Sequence, residues 1–196
     1  MRIGVYGGTF NPIHIGHTSL AQSLVEQHMV DEVWLMVSPQ NPMKQPTADD
    51  YQHRLNMARI ATRGMAHIRV SDFERSLPLP SYTITTLNSL SHEYPQHQFT
   101  LIIGADNWQR FGHWYQADEI LRRYSVIIYR RPLFDIDPHT LPPNVSIADT
   151  PLYDVSSTEI RNRQKLKMTS PDVLKYIRTH HLYFCHTISA DSNPEP

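Results

Sequence analysis

The sequence predicts an α/β fold in which a doubly wound parallel sheet forms a single domain with a small C-terminal helical part. Short apolar runs alternate along the chain with stretches of helical period. The densest run, Glu32–Val37, has the continuous hydrophobicity of a strand that is buried on both faces. Strands that are each followed by a helix form a parallel sheet with helices on both sides. We therefore expect a Rossmann-like architecture.

The predicted strands are short apolar runs, and turn-forming residues follow most of them. In chain order they are Ile3–Tyr6, Glu32–Val37, Ile68–Ser71, Phe99–Ile103, Ser125–Tyr129 and a candidate sixth strand, Val145–Ala148. Gly7 and Gly8 follow the first strand, Gly104 follows the fourth, and a proline-rich loop over residues 38–47 follows the second. Ligands of such sheets bind beyond the carboxyl ends of the strands, so these loops are expected to meet at one edge.

The predicted helices are the amphipathic stretches between the strands. The first begins at about Gly16 to Thr18, and its apolar residues Leu20 and Leu24 share one face. Pro95 closes off the third. The full set is 18–29, 48–63, 82–93, a helical turn that carries Trp108 and Trp114, and two terminal helices, 156–163 and 171–180, each with a favoured cap or first-turn residue at its start.

Composition excludes several classes of function. The 196 residues fit one domain, and their net charge of −1 gives no field that would recruit nucleic acid or a membrane surface. No signal peptide is visible, and no apolar run approaches the roughly 18 residues that span a bilayer. A single cysteine, Cys185, allows no intrachain disulfide, so a cytoplasmic protein is expected. Residues 185–196 lack apolar periodicity and are expected to be a disordered tail.

The segment from Gly7 to His17 carries the strongest functional signal. Gly7 and Gly8 permit backbone conformations that a side chain would forbid, and the next helix presents N–H groups where a phosphate can bind. His14 and His17 lie at that helix start. Imidazole can donate a hydrogen bond to phosphate and can carry positive charge as negative charge develops. The alternative is a structural glycine turn with two exposed histidines.

A second group of polar residues begins the helix near the C-terminus. Ser156, Ser157 and Thr158 can cap this helix and can also offer donors to an anion. Arg161 follows one turn later, where its guanidinium could reach the same anion in a forked geometry. The alternative is an ordinary helix cap with a solvated arginine.

Other strand-end segments offer weaker signals. Asp106, in Gly104-Ala105-Asp106, could accept hydrogen bonds from ribose hydroxyls or could cap the next helix. The hydroxyls of Ser81–Leu87 exceed what one cap requires.

Three further side chains have both a binding and a structural interpretation. Trp114 could stack on a base or a pyridine ring, or could be a core residue. For Arg130 and Arg131 a phosphate contact and a solvated loop are comparable alternatives, and Lys44 could close over a triphosphate.

Two families carry motifs of this kind. His14-Ile15-Gly16-His17 resembles the adenylate-binding motif of class I aminoacyl-tRNA synthetases, and Lys167-Met168-Thr169-Ser170 resembles their lysine-containing loop. The chain is too short for a synthetase catalytic domain with its tRNA-binding parts, and it lacks a basic surface for tRNA. We therefore interpret the second match as coincidence.

The closer resemblance is to bacterial nicotinate mononucleotide adenylyltransferases. It rests on Gly7–His17 together with Ser156–Arg161, and the landmarks between them agree in order. It covers residues 1–184, which are interpreted as one nucleotidyltransferase domain. Asn11 stands where the bacterial enzymes usually carry Asp, and Thr85 also replaces a usual Asp, which puts fine details of the loops in question but not the reaction class.

The resemblance implies adenylyl transfer from ATP to nicotinate mononucleotide, with roles for individual residues. Those implied in catalysis are His14, His17 and Arg161. Those implied in ATP binding are Gly8, Thr9, Phe10, His14, His17, Lys44, Gly104, Asp106, Ser156, Ser157, Thr158 and Arg161. Those implied in mononucleotide binding are Asn41, Thr83, Thr86, Trp114 and Arg131.

The same resemblance implies Mg²⁺ carried by the ATP phosphates with few or no protein ligands, and the 12 histidines show no spacing typical of a zinc site. The expected partners are ATP and the mononucleotide, with neither nucleic acid nor membrane, and a homo-oligomer is left open. Two alternatives also remain: an acceptor such as nicotinamide mononucleotide or, less favoured, phosphopantetheine, and a non-catalytic nucleotide sensor that retains the fold.

Overall fold

A computed structural model describes residues 1–39 and 48–183, and the side chains within that second range from residue 50 onward. The strands in this part of the chain are β1 (Arg2–Gly8), β2 (Glu32–Val37), β3 (Ile68–Ser71), β4 (Gln98–Gly104), β5 (Ser125–Tyr129) and β6 (Val145–Ala148). They form one sheet in the order β3-β2-β1-β4-β5-β6, and every neighbouring pair is parallel. The Rossmann-like sheet predicted from the sequence is confirmed, including its sixth strand.

Helices follow β1, β2, β3, β4 and β6, whereas only a 3₁₀ turn lies between β5 and β6. The helices are α1 (Ile15–Glu26), α2 (Ala48–Ala61), α3 (Thr83–Glu93), α4 (Ala105–Trp108), α5 (Ala117–Arg123), α6 (Ser157–Arg161) and α7 (Pro171–Thr179). Within residues 1–39 and 48–183, no helix has the length and hydrophobicity required to cross a bilayer.

Several element boundaries differ from the prediction. Helix α1 begins at Ile15 because the extended backbone of His14 places that residue at the N-cap, and it ends before His28, whose positive φ of 56° breaks the helix. Trp114 lies outside the helical turn that was expected to carry it, after a 3₁₀ turn over Phe111–His113. Helix α5 was not predicted, because its seven residues are mostly charged and bury only Ala117 and Ile120. The expected disordered tail lies outside the described residues.

Two hydrophobic cores lie on opposite faces of the sheet. Successive residues of a strand point to opposite faces, so Val5 packs in one core and Tyr6 in the other. Residues of α1, α2 and α7 pack in the core of Tyr6, and residues of α3 and α5 pack in the core of Val5. The sheet is therefore doubly wound. The chain order reverses between β1 and β4, and crevices for ligands form at such a switch point.

Candidate active site

The loop after β1 is fixed in place by side chains from distant parts of the chain. Arg54, which is only 6% exposed, donates from Nη1 to the carbonyl oxygens of Thr9 at 2.7 Å and Ser38 at 2.9 Å. One buried guanidinium thus joins the loops that follow β1 and β2. The ordered position of Thr9 depends on a helix residue 45 positions away in sequence.

The second motif binds the same loop. Arg161 donates from Nη1 to the carbonyl oxygen of Asn11 at 2.5 Å and from Nη2 to Oγ1 of Thr158 at 2.9 Å. Ser157 donates from Oγ to the carbonyl oxygen of Pro12 at 2.9 Å. Because these carbonyl groups are bonded to protein donors, the N–H groups of the loop are the ones left to meet an anion.

Two contacts complete the support of this loop. Thr169, from the segment that resembles the synthetase loop, is buried and donates to the carbonyl oxygen of Ile13 at 3.4 Å. Tyr183 donates from its hydroxyl to Oδ1 of Asn11. A carboxylate oxygen of Asp at position 11 could accept the same hydrogen bond, so the departure from the usual family residue keeps this contact.

The two histidines form a stacked pair at the N-terminus of α1. Their ring centroids are 3.7 Å apart, and the backbone N–H of His14 donates to Nδ1 of His17 at 3.2 Å. Since Nδ1 of His17 accepts, a neutral His17 carries its proton on Nε2. Burial is the main cause that lowers the pKa of His14 to about 4, and nearby Arg131 lowers it further.

Burial likewise lowers the pKa of His17 well below its usual value, with the charges of His14 and Arg131 acting in the same direction. Both imidazoles are therefore neutral at neutral pH before a ligand binds. The sequence suggested that imidazole could become positively charged. Here the charge of Glu159 favours that form at His14 without offsetting burial, and an incoming anion would favour it further. Nδ1 of His14 is buried and has no hydrogen-bond partner in the described part of the chain.

These histidines line a small pocket, here called the histidine pocket, together with Tyr6, Tyr129 and Arg131. Arg131 donates from Nη2 to the hydroxyl of Tyr129 at 3.0 Å, and Tyr6 donates to the same hydroxyl at 3.4 Å. The arginine is thereby fixed beside the histidine pair.

Gly104 brings the side chains of Asp106 and Arg131 together. Nε of Arg131 lies 3.6 Å from Oδ1 of Asp106, and neither atom makes a hydrogen bond within the described residues. A Cβ at position 104 would overlap Oδ1 of Asp106 and would lie 3.2 Å from Nε of Arg131. Only glycine fits here without moving both groups.

A second and larger cavity lies on the other side of Tyr6 and Tyr129 and has a volume of about 390 Å³. It is called the threonine pocket and is lined by Gly7, Gly8, Thr9, Ser38, Glu74, Ser81, Thr83, Thr86, Gly104, Asn107 and Trp114, among others. The half-buried ring of Trp114 packs on Phe111 with centroids 5.3 Å apart, so this indole is both a core residue and a pocket wall. At the start of α3, the cap residue Tyr82 gives the first turn no side-chain hydrogen bond.

The structure gathers the expected residues into two groups. Arg131, expected with the mononucleotide, lines the histidine pocket and not the threonine pocket that Thr83, Thr86 and Trp114 line. The side chain of Phe10 is 2% exposed and belongs to the core, so only its backbone can meet a ligand.

One more of the expected residues has a structural role, and two lie outside the described residues. The hydroxyl of Ser156 caps α6 and is engaged with Glu159, as the capping alternative required. Asn41 and Lys44 lie outside the described residues.

Glu74 and Tyr129 are among the contributors to these pockets that sequence reasoning missed. Glu74, in a 3₁₀ turn over Phe73–Ser76 after β3, lines the threonine pocket. Tyr129, the last residue of β5, lines both pockets. The position of each after or at a strand end was the available signal, but neither belongs to a recognisable motif.

Comparison with known proteins gives a consistent family. Residues 5–163 match a family model described as cytidylyltransferase-like. A probable nicotinate-nucleotide adenylyltransferase of Bacteroides fragilis is 49% identical over 162 residues, covering 82% of this chain and 80% of that protein. One from Flavobacterium johnsoniae is 37% identical, covering 93% of this chain and 99% of that protein. The nicotinic acid mononucleotide adenylyltransferase of Plasmodium falciparum, complexed with NaAD, has the same fold, with a TM-score of 0.79 at 23% identity over 93% of this chain and 97% of that one.

Proposed function

This chain belongs to the cytidylyltransferase-like family and, within it, to the nicotinate-nucleotide adenylyltransferases, and from that premise we propose that it transfers the adenylyl group of ATP to nicotinate mononucleotide. The products are deamido-NAD and pyrophosphate. The observation that carries the proposal is the neutral histidine pair at the N-terminus of α1, next to a loop whose carbonyl groups are bonded to protein donors.

The reaction needs no nucleophile from the protein. An oxygen of the mononucleotide 5′-phosphate forms a bond to the α-phosphorus of ATP, and the bond from that phosphorus to the bridging oxygen of the β-phosphate breaks. The electron pair of that bond leaves with pyrophosphate. Catalysis then consists of aligning the two phosphates in line and stabilising the negative charge that develops.

The histidine pocket supplies donors for that charge. The hydrogen bond from the N–H of His14 occupies Nδ1 of His17, which leaves Nε2–H to donate to a ligand. The guanidinium of Arg131 adds a fixed positive charge beside it. Arg161, Ser157 and Thr158 adjoin the same loop, and we assign them to the β- and γ-phosphates. A guanidinium has five N–H donors, so Arg161 can keep its hydrogen bond to the carbonyl oxygen of Asn11 and still donate to a phosphate.

Mg²⁺ is proposed to arrive bound to the ATP phosphates. Among residues 1–39 and 48–183, no group of three or more His, Cys, Asp or Glu side chains could hold a metal ion. Mg²⁺ suits such a site because it keeps several waters and binds substrate phosphates readily. When bound it neutralises phosphate charge. Asp106 and Gly104 are assigned to the ribose, because Oδ1 of Asp106 still lacks a hydrogen-bond donor in the described structure.

The mononucleotide is assigned to the threonine pocket. The first turn of α3 has no side-chain cap, so its N–H groups can meet a carboxylate near Thr83. Trp114 offers a flat surface for the pyridine ring. A site of this kind favours the acid over the amide.

We expect kcat/KM for nicotinate mononucleotide to exceed that for nicotinamide mononucleotide by at least ~100-fold, which is about 2.7 kcal/mol. The measurement is pyrophosphate release with ATP and each mononucleotide in turn. Equal rates would contradict the substrate assignment and leave the broader adenylyltransferase class. ATP binding without pyrophosphate release from either mononucleotide, or from phosphopantetheine, would favour the sensor alternative.

Gly104→Ala is expected to raise the KM for ATP by about tenfold, because the new Cβ pushes Asp106 away from the ribose position and from Arg131. The matched control is Gly112→Ala, where a Cβ would have no atom within 4 Å. The same KM for both variants would show that the geometry around Gly104 is irrelevant to ATP. The cytoplasmic location stays a prediction, and a homo-oligomer is left open.

A further inference from the structure

A carboxyl group lies in the wall of the pocket that we assign to an acidic substrate. Glu74 lines the threonine pocket, and its Oε1 accepts a hydrogen bond from Oγ1 of Thr86 at 3.0 Å. Ser38, the first residue after β2, also bonds to this carboxyl group. Among the described residues, Glu74 has no ion pair. The negative charge of an ionised Glu74 would therefore face the pocket without a matched cation.

This environment favours the protonated carboxyl group more than water does. Burial raises the pKa of Glu74, and the hydrogen bonds from Thr86 and Ser38 oppose that shift only in part. A nicotinate carboxylate in the same pocket would add a second negative charge and favour protonation further. A neutral carboxamide would not. The acid and the amide thus differ in how strongly each is linked to a proton on Glu74.

Thr86 transmits this protonation state to the pocket. Its hydroxyl has one hydrogen, which can reach Oε1 of Glu74 at 3.0 Å or the carbonyl oxygen of Tyr82 at 3.4 Å. When Glu74 is ionised, Thr86 donates to it and presents only lone pairs to a ligand, which suits the N–H of an amide. When Glu74 is protonated, it can donate to Thr86, whose hydrogen then goes to Tyr82. Thr86 then keeps fewer free lone pairs for the N–H of an amide than it has when Glu74 is ionised.

We propose that Glu74 is a specificity-determining residue, and that the acid binds beside it only when its carboxyl group carries a proton. This inference rests on the proposed function. It predicts that the preference for nicotinate over nicotinamide mononucleotide is strong at low pH and falls as pH rises. When Glu74 loses its proton, the acid loses affinity for the pocket, whereas the amide does not.

Other charged groups near Glu74 are engaged elsewhere. On its own turn, Asp72 pairs with Arg59 at 3.5 Å, and Arg75 lies over the ring of Tyr51. From α2, Arg54 bonds to loop carbonyl groups, and from the sheet the phenol groups of Tyr6 and Tyr129 line the pocket. From α3, the neighbouring groups are the hydroxyls of Thr83 and Thr86.

The test is the ratio of kcat/KM for the two mononucleotides, measured from about pH 5.5 to about pH 8.5. The two substrates share one phosphate, so the titrations of that phosphate and of the histidines cancel in the ratio. In the wild type the ratio is expected to fall at least about tenfold across this range. In Glu74→Gln, which keeps an acceptor oxygen but cannot ionise, the ratio is expected to be flat and to exceed the wild-type value at high pH.

The matched control is Glu93→Gln. Glu93 is an exposed residue at the C-terminal end of α3, and this variant is expected to reproduce the wild-type curve. Calorimetry in two buffers of different ionisation enthalpy gives a second readout: in the wild type the acid takes up more protons on binding than the amide does, and in Glu74→Gln the two take up equal numbers. A wild-type ratio that stays within twofold across the pH range would overturn the inference, even if Glu74→Gln fails to fold. If neither mononucleotide releases pyrophosphate, the proposed function fails, and proton uptake on binding still decides the role of Glu74.

Discussion

Replacing His17 by alanine is expected to lower kcat by about 10²- to 10³-fold, the usual loss when one donor to developing charge is removed. The reason is the fixed tautomer: Nδ1 accepts from the N–H of His14, so Nε2–H is aimed as a neutral donor. Turnover is measured by pyrophosphate release at saturating substrates, and folding by the thermal midpoint. The KM for ATP should change less than kcat.

Two further variants test the neutral-donor interpretation of His17. His17→Gln places an amide N–H near the position of Nε2 and is expected to recover about tenfold of the activity lost in His17→Ala. His92→Ala, an exposed histidine near the end of α3, serves as the control. Near-normal turnover in His17→Ala with an unchanged thermal midpoint would remove His17 from the mechanism.

The sheet was predictable from the sequence because buried parallel strands leave a strong local signal. Glu32–Val37 and Ser125–Tyr129 were located to the residue, and the short strand Val145–Ala148 was recognised as a candidate. Helix ends were less accurate, because a left-handed residue such as His28 stops a helix without glycine or proline to mark it. Helix α5 was not predicted because its seven mostly charged residues show too little hydrophobic periodicity.

The site was predictable where a motif places several residues in one short segment. His14 is the N-cap of α1 and His17 lies three residues later in its first turn, so their meeting follows from the backbone. The sequence could not show that burial keeps them neutral, because that depends on the core packed around them. Glu74 and Thr86 meet only through tertiary packing, 12 positions apart, with no motif to join them.

Arg161 illustrates a role that motif reasoning described only in part. The sequence assigned its guanidinium to phosphate, and the structure places it between Asn11 of the glycine loop and Thr158 of its own helix. An arginine can bind a phosphate and also support the loop, because its N–H donors point in several directions within one plane. The capping alternative therefore holds for Ser156 but fails to describe Arg161, whose contact is with a loop 150 positions away.

Arg161→Ala is expected to lower kcat/KM for ATP by about 10³-fold, because it removes a phosphate ligand and also frees the carbonyl group of Asn11. Arg161→Lys is expected to lose at least about 10²-fold, since one ammonium group cannot reach Asn11, Thr158 and a phosphate together. Calorimetry should show that ATP affinity falls more than mononucleotide affinity, which separates this site from the threonine pocket.

The control for charge alone is Arg178→Lys, an exposed arginine in the last turn of α7, which is expected to be neutral. A lysine at 161 that restored full ATP affinity would mean that the forked geometry is irrelevant and that a positive charge suffices. Unaltered ATP binding in Arg161→Ala would contradict any contact between Arg161 and the ATP phosphates. It would reduce the segment from Ser156 to Arg161 to a capped helix that supports the glycine loop, and the phosphates would then depend on the loop N–H groups, the histidine pair and Arg131.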